Sequence, residues 1–539
     1  MQIFLRLVLL FAIISCHPVH AQLSADTIAM LDKIMARYTE ATPGAQLAIS
    51  RNGQIVYSAA KGMADLEHNV PLGKVSKTEA GSVSKQFTAA AILLLEQQGK
   101  LSLNDDVRKY IPELPDFGHT ITIRHLMQHT SGIKDWGSIA EITGWPRGTK
   151  AYTNDDALHF ITLQKTLNNK PGDEYIYSNS GYTLMTHIVQ RLSGISHAAF
   201  TKKYIFEPAG MKNTEWRHDY KQVVKDRAIA YNKSSNNYIT NMPNEDTYGH
   251  GGLLTTAEDL LAWNQYYLNG KLGGQELLTR QTALSSLNNG RRNTYAAGIV
   301  IDSLDKWKMI SHSGATAGYR ANLEYFPQLD LSIAWLSNTS QSDLSNTPSA
   351  ARKVFVNPPS AAVNQEQQAS LVDAKLFEAY AGAYKNDKTG EGIRLRIKEG
   401  SLISEQNGKL TLLAPDKALV GRAQILFHSK PRSFTMINGA GDTLLFKGVD
   451  TANVAGTRAT EYAGVYTSEE TESKLAVLVK DGKVYLKRRS NEILLMPVYK
   501  DGFSFPAGDL YFERDKKGRI SKLYISISRA RKVEFKKVD

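Results

Sequence analysis

The sequence predicts an α/β domain followed by an all-β region of two repeated small antiparallel barrels. Three observations predict it. Strand-like patterns stand at both ends of residues 23–356, with mostly helix and loop between, which suggests one sheet built from both ends of that segment. Beyond residue 371 the chain turns into short alternating stretches, such as IRLRIKEG, KLAVLVKDG and KLYISIS, separated by Gly, Asp and Asn turns. Within that region Tyr380-Ala-Gly-Ala-Tyr384 returns 82 residues later as Tyr462-Ala-Gly-Val-Tyr466. Two units of that length suit a pair of small barrels better than a solenoid, which needs more repeats.

Taken in order, the first 22 residues read as an export signal. Arg6 precedes the apolar stretch Leu7–Ile14, and Val19-His20-Ala21 offers a small-residue cleavage site. The expected location is therefore periplasmic or secreted. Ile13-Ile14-Ser15-Cys16 also resembles a lipoprotein box, so a lipid anchor on Cys16 is the alternative. Cys16 is the only cysteine, which excludes an internal disulfide, thiol catalysis and cysteine metal sites. Residues 25–40 carry apolar residues at helical spacing, and GAQLAISRNGQIVYSAAKG reads as a hairpin around Asn52-Gly53. Residues 82–290 are mostly helical. Strand patterns return in TYAAGIVIDS, WKMISHSG, ANLEYFP and LSIAWLSN, closing a domain over 23–356. A Pro-, Ala- and Gln-rich linker over 357–371 leads to barrel-like repeats at 372–456 and 457–539.

Charge adds little about partners. The chain carries 65 Lys and Arg against 53 Asp and Glu, for a net +12. Residues 371–539 hold 30 basic and 21 acidic side chains, so +9 of the excess sits in the barrels. No nucleic-acid motif accompanies it, and a solvated basic face is the reading. Association with the cell envelope stays open, and the sequence does not speak to oligomeric state.

The chain lacks a Walker phosphate loop, a GxSxG elbow and an HExxH zinc motif, and no cofactor or metal is expected. His125 and His129 are four apart, but no carboxylate stands in pattern with them; helix-end histidines bonding a turn are the preferred reading. What remains is a Ser/Lys/Tyr set. A serine hydroxyl needs a nearby base, and a lysine three residues on along a helix lies one turn away on the same face. Four Ser-x-x-Lys pairs occur, beginning at Ser58, Ser82, Ser131 and Ser303. Only GSVSKQFTAAAILLLEQQGKL starts a long apolar helix at its serine, which singles out Ser82 and Lys85. Tyr-x-Asn occurs at 152, 177, 267 and 384; Tyr177-Ser178-Asn179 sits in a polar turn leading into an apolar helix. There a tyrosinate stabilised by a lysine can act as general base, and the Asn179 amide can hold lysine and substrate carbonyl. His-x-Gly occurs at His250 and His312, and His312-Ser313-Gly314 ends a strand where glycine admits close backbone approach.

In order, GSVSK, HTSGI, PGDEYIYSNSGY, GHGGLLTTAEDLLAW and HSGATAGYRA resemble the serine β-lactamase and penicillin-binding superfamily, in its class C-like branch, over about residues 25–350. The resemblance implies a five-stranded antiparallel sheet and a helical subdomain with the active site between them. It implies that Ser82 is acylated, that Lys85 and Tyr177 share the proton transfer, and that Asn179 orients lysine and substrate. It also places His312 at the basic position of the third motif, with Ser313 and Gly314 lining the substrate site. The backbone N–H groups of Ser82 and Ala315 would form the oxyanion hole. Lactamases of this branch have Lys-Thr-Gly at that third motif. His312-Ser313-Gly314 looks more like the D-aminopeptidases and esterases, and the barrels resemble the lipocalin-like domains appended to D-aminopeptidase-type members.

The expected function is a cofactor-free, exported serine hydrolase acting through an acyl-enzyme on Ser82. Short D-residue peptides, amides or esters are the expected substrates. A β-lactamase or cell-wall D,D-peptidase is the alternative, and an acylated penicillin-binding sensor with poor turnover is the non-enzyme alternative. Two further expectations follow. The barrels tune specificity without supplying catalytic groups, and an unperturbed His312, titrating at about 6.5, would be mostly uncharged at neutral pH, while burial or a carboxylate neighbour would move its pKa down or up. An uncharged His312 anchors a carboxylate weakly and so favours substrates whose leaving side has none.

Overall fold

The computed structural model describes residues 23–356 and 374–538, apart from 422, 439–440, 452–455 and 528. The export segment with Cys16 and the whole linker lie outside the described residues.

The first domain is a sheet with helices on both faces. Its strands are β1 (Ala45–Arg51), β2 (Gln54–Lys61), β3 (Val300–Leu304), β4 (Trp307–Thr316), β5 (Tyr319–Phe326) and β6 (Leu331–Ser337). They lie in the order β3-β4-β5-β6-β1-β2, all antiparallel, so both ends of the segment meet where β6 pairs with β1, Ala45 opposite Ser337. The resemblance implied five strands; there are six. The sixth is β3, whose Val300 and Ile301 continue the apolar run before the Asp305-Lys306 turn folds it onto β4. Every residue of β6 is buried, because helices cover both of its faces. On one side α1 (Ala25–Met35) and α5 (Thr347–Phe355) pack against Leu47, Ile49, Ile333 and Trp335. On the other, α2 (Lys85–Gln97) and α4 (Ala257–Leu268) meet Ala48, Leu323, Ala334 and Leu336. The period of two along each strand sorts these residues to opposite faces. Next to α2 lies α3 (Asn179–Ser193), capped by Gly194 in the left-handed conformation.

Each barrel-like repeat is a nine-stranded antiparallel sheet, spanning Gly382–Val449 and Gly464–Lys537. The two edge strands of each sheet are sequence neighbours, 408–409 beside 411–414 and 491–494 beside 496–499, so each sheet curls into a nearly closed barrel. The repeated Tyr-Ala-Gly-x-Tyr is the corner that starts each one. The second tyrosine turns back and donates to the carbonyl of the first, Tyr384 to Tyr380 at 2.6 Å and Tyr466 to Tyr462 at 2.8 Å. The glycine between them has φ of 140° at Gly382 and 149° at Gly464, which side chains rarely adopt.

The barrels do not stand apart from the first domain. Lys134 and Glu470 form an ion pair whose side chains are 0% and 3% exposed. Glu174 is held by Lys388 from the first barrel and by Arg531 from the second, the latter at 2.9 Å. Ile139 and Ile142 enter the apolar core of the second barrel. A buried ion pair survives because each charge answers the other; removing one partner strands the other at a cost of about 3–5 kcal/mol. Glu470→Ala should therefore lower unfolding stability by about that amount in urea titrations. The double variant Lys134→Met/Glu470→Leu should recover most of the loss. Equal stability of wild type and Glu470→Ala would remove the pair from the account.

Candidate active site

Ser82 stands on the tight turn Gly81–Ser84, and α2 begins at Lys85, three residues after the serine rather than at it. In such a turn residues i and i+3 eclipse. Lys85 Nζ accordingly lies 3.1 Å from Ser82 Oγ. The same amine donates to Asn179 Oδ1 at 2.9 Å and to the His250 carbonyl at 2.6 Å. It sits 4.8 Å from the Tyr177 ring centre and 5.5 Å from that of Tyr182. The Tyr177 hydroxyl is buried beside Ser82, with no well-aligned hydrogen bond among the described residues.

The other Ser-x-x-Lys pairs are explained by local structure. Ser58 Oγ donates to Glu258 at 2.6 Å, Lys134 is paired with Glu470, and Ser303 and Lys306 are both exposed. Of the other Tyr-x-Asn tyrosines, Tyr152 bonds the Trp145 carbonyl and Tyr384 forms its barrel corner. His125 and His129 do not converge: each accepts a backbone N–H at Nδ1, from Thr122 and from Ser178.

Opposite Ser82 runs the end of β4. The neighbouring β3 pairs with it only as far as Ser311, so Ser313–Thr316 is an open edge facing the cleft. Two glycines let this edge touch the serine turn. A Cβ on Gly314 would overlap the Ala80 carbonyl oxygen and lie 3.1 Å from Ser82 N; one on Gly81 would lie 2.6 Å from Ala315 N. The N–H-bearing segments of Ser82 and Ala315 are thereby brought side by side. Together these walls enclose a cavity of about 630 Å³ that contains Ser82, Tyr177, Asn179 and His312.

The sequence model of the beta-lactamase family matches residues 31–355. The chain belongs to that family. It is 28% identical to penicillin-binding protein 4* of Bacillus subtilis over 393 residues, 67% of this chain and 84% of the relative. It is 23% identical to a D-aminopeptidase of Brucella anthropi over 536 residues, 92% of this chain and 95% of the relative, so that likeness runs through both barrels. Among solved structures, an octameric penicillin-binding protein homologue from Pyrococcus abyssi shares the fold, with TM-score 0.56 at 21% identity, covering 86% of this chain and 97% of that one.

Burial sets the proton inventory of this beta-lactamase-family site. Desolvation, then the positive charges of Arg529 and Arg147, hold the Lys85 amine well below the usual lysine range, against a smaller pull from Asp135. Burial pushes the Tyr177 phenol above the usual tyrosine range, with Ser82 opposing weakly. Burial thus works against a tyrosinate at Tyr177 and toward the free base at Lys85. His312 is held by two partners. Its Nδ1 donates to the Ser313 carbonyl at 2.6 Å, so Nε2 accepts from the Tyr295 hydroxyl at 2.9 Å. Burial and the nearby Lys85 push its pKa down to about 4 instead of 6.5. Both ring nitrogens are engaged, and the imidazole is a neutral wall group.

Several neighbours were not singled out from sequence. Asp135 accepts the Asn179 N–H at 2.7 Å and fixes the start of α3. His250 contributes through its carbonyl, which no side-chain pattern reveals. Tyr295 orients His312. Arg529 comes from the second barrel: its guanidinium lies 4.6 Å over the Tyr177 ring and lines the same cavity, so a barrel reaches the site without adding a group to the Ser82, Lys85 and Tyr177 set.

Because Lys85 is depressed, its free-base form persists as pH falls toward neutrality and is lost only below its lowered pKa. A kcat/KM profile on a neutral ester should be flat from pH 9 downward until that titration, then fall about tenfold per pH unit. His312 titrates below this range, so His312→Gln should leave the profile's shape between pH 5 and 9 unchanged. An inflection near 6.5 that vanishes in His312→Gln would contradict the buried, neutral imidazole.

Proposed function

We propose that the protein is an exported serine hydrolase that forms an acyl-enzyme on Ser82 and acts on short D-residue peptides, amides or esters. The observation that carries this reading is the Lys85 amine 3.1 Å from the Ser82 hydroxyl, in a buried setting that holds it well below the usual lysine range. In the first step the Lys85 lone pair takes the Ser82 proton as Oγ attacks the carbonyl carbon. Negative charge gathers on the carbonyl oxygen, facing the N–H groups of Ser82 and Ala315. The tetrahedral intermediate collapses, the bond to the leaving group breaks, and the departing nitrogen or oxygen takes a proton from the Tyr177 hydroxyl. Lys85, now an ammonium, returns a proton to Tyr177. Water then attacks the ester on Ser82 by the same route in reverse. Asn179 holds the lysine through Oδ1 and leaves its amide nitrogen for a substrate carbonyl. A substrate backbone can lie along the open edge at Ser313–Thr316 as an added strand.

The D-residue assignment is supported by the D-aminopeptidase relative, whose similarity extends through both barrels. The penicillin-binding relative supports the second reading, β-lactam or D,D-peptidase chemistry on the same serine. Export rests on the N-terminal signal pattern. A screen of D-aminoacyl amides, D-peptide esters and a chromogenic cephalosporin separates the enzymatic readings. Steady turnover after the first acylation separates both from a sensor that is acylated once.

A fluorophosphonate should add one mass increment to the peptide containing Ser82 and none to those containing Ser58, Ser131 or Ser303. Ser82→Ala should lower kcat roughly 10³–10⁶-fold, leaving what binding and oxyanion donors supply. Label on another serine, or turnover surviving in Ser82→Ala, would remove Ser82 from its role.

A further inference from the structure

The cavity around Ser82 holds more positive charge than its carboxylates answer. Four guanidiniums line it, those of Arg147, Arg320, Arg352 and Arg529, with Glu324 as the only lining acid. Arg352 is paired with Glu324 at 2.6 Å, and Arg147 with Glu245 behind the wall. Arg320 and Arg529 have no carboxylate partner among the described residues. Arg320 stands opposite Ala315 in the β4–β5 register and donates only to the carbonyls of Ala317 and Tyr319. For Arg529, no hydrogen bond of its guanidinium is found among the described residues. Asp135, whose N–H bonds the Arg529 carbonyl, has both of its side-chain oxygens already accepting the N–H groups of Asn179 and Ser138.

The position of Arg529 is built rather than incidental. Its carbonyl accepts the Asp135 N–H at 3.1 Å and the Asn168 side-chain amide at 2.8 Å. Two residues on, the Arg531 N–H donates to Asn168 Oδ1 at 2.8 Å, and the Arg531 side chain pairs with Glu174. The loop is thus pinned to the same Asp135 that fixes Asn179, and its guanidinium is delivered onto the ring of Tyr177.

We infer that Arg529, aided by Arg320, is a specificity-determining residue that selects substrates carrying a carboxylate and disfavours those presenting a free ammonium. The inference rests on the acyl-enzyme reading and deepens it. In a cleft with low-dielectric walls an unanswered guanidinium attracts an anion and repels a cation. Its fork of donors matches a carboxylate in two parallel hydrogen bonds. A D-peptide with an acidic or free carboxyl end meets that requirement, whereas an unblocked D-aminoacyl amide brings a positive charge to the same wall. The charge that His312 lacks is thus supplied from the second barrel.

The test measures equilibrium binding by calorimetry to the full chain carrying Ser82→Ala, so that it does not depend on turnover. Four ligands are compared: N-succinyl-D-alaninamide, N-acetyl-D-alanyl-D-alanine, the neutral N-acetyl-D-alanyl-D-alaninamide, and D-alanyl-D-alaninamide with its free amine. At least one of the two carboxylate ligands should bind about tenfold or more tightly than the neutral one, and the free amine more weakly than either. Adding Arg529→Gln should shrink the carboxylate preference to less than about threefold, Arg529→Lys should retain part of it, and Arg320→Gln should shrink it less. The preference in the parent should also fall as salt rises from 50 to 500 mM, a readout that holds even if a variant fails to fold. Equal affinity for anionic and neutral ligands, or a preference untouched by both salt and Arg529→Gln, would overturn the inference. Failure of Ser82 to take up fluorophosphonate would instead sink the hydrolase reading, with the binding comparison still standing on its own.

Discussion

The site depends on one buried amine. Lys85 is fully enclosed, with a serine hydroxyl, an amide oxygen and a backbone carbonyl as its hydrogen-bond partners and no carboxylate within ion-pair distance. A charged ammonium in such a place lacks an opposite charge to offset its desolvation, which favours the free base and lowers the pKa. Everything around it serves that condition. Asn179 is held by Asp135, the His250 carbonyl arrives on the glycine-rich turn after Tyr248, and the Tyr177, Tyr182 and His129 rings exclude water. The neighbouring guanidiniums of Arg147 and Arg529 push the same way.

That condition ties the barrels to the chemistry. Arg529 contributes to lowering the Lys85 pKa and also covers Tyr177, so one residue of the last hairpin bears on both groups to which the proposed mechanism gives the proton transfer. The ion pairs of Lys134 with Glu470 and of Glu174 with Arg531 anchor the loops that precede Trp136 and Tyr177. They lock barrel and site into one body. The chain's positive excess, concentrated in the barrels, thereby has a local use as well as a solvated one.

Much of this was legible from residues. The Ser82–Lys85 spacing, the Tyr177-Ser178-Asn179 turn, the open His312-Ser313-Gly314 strand and the doubled Tyr-Ala-Gly-x-Tyr corner each rest on local geometry, a turn of helix or an alternation along a strand. The six strands were present in the patterns even though the family resemblance implied five. What local patterns did not carry was protonation and reach. Burial raises the pKa of Tyr177 and lowers that of His312, and it is set by elements as distant as Arg529, which short-range patterns do not report.

The sequence by itself determined which side chains could act as nucleophile and base, and that a sheet built from both ends of the first domain would carry them. These follow from short-range periodicity, which neighbouring residues specify. Only the tertiary structure decided their charge states and added Arg529. Desolvation depends on everything packed around a group, and a contact spanning 352 residues, from Tyr177 to Arg529, leaves no periodic trace in the chain.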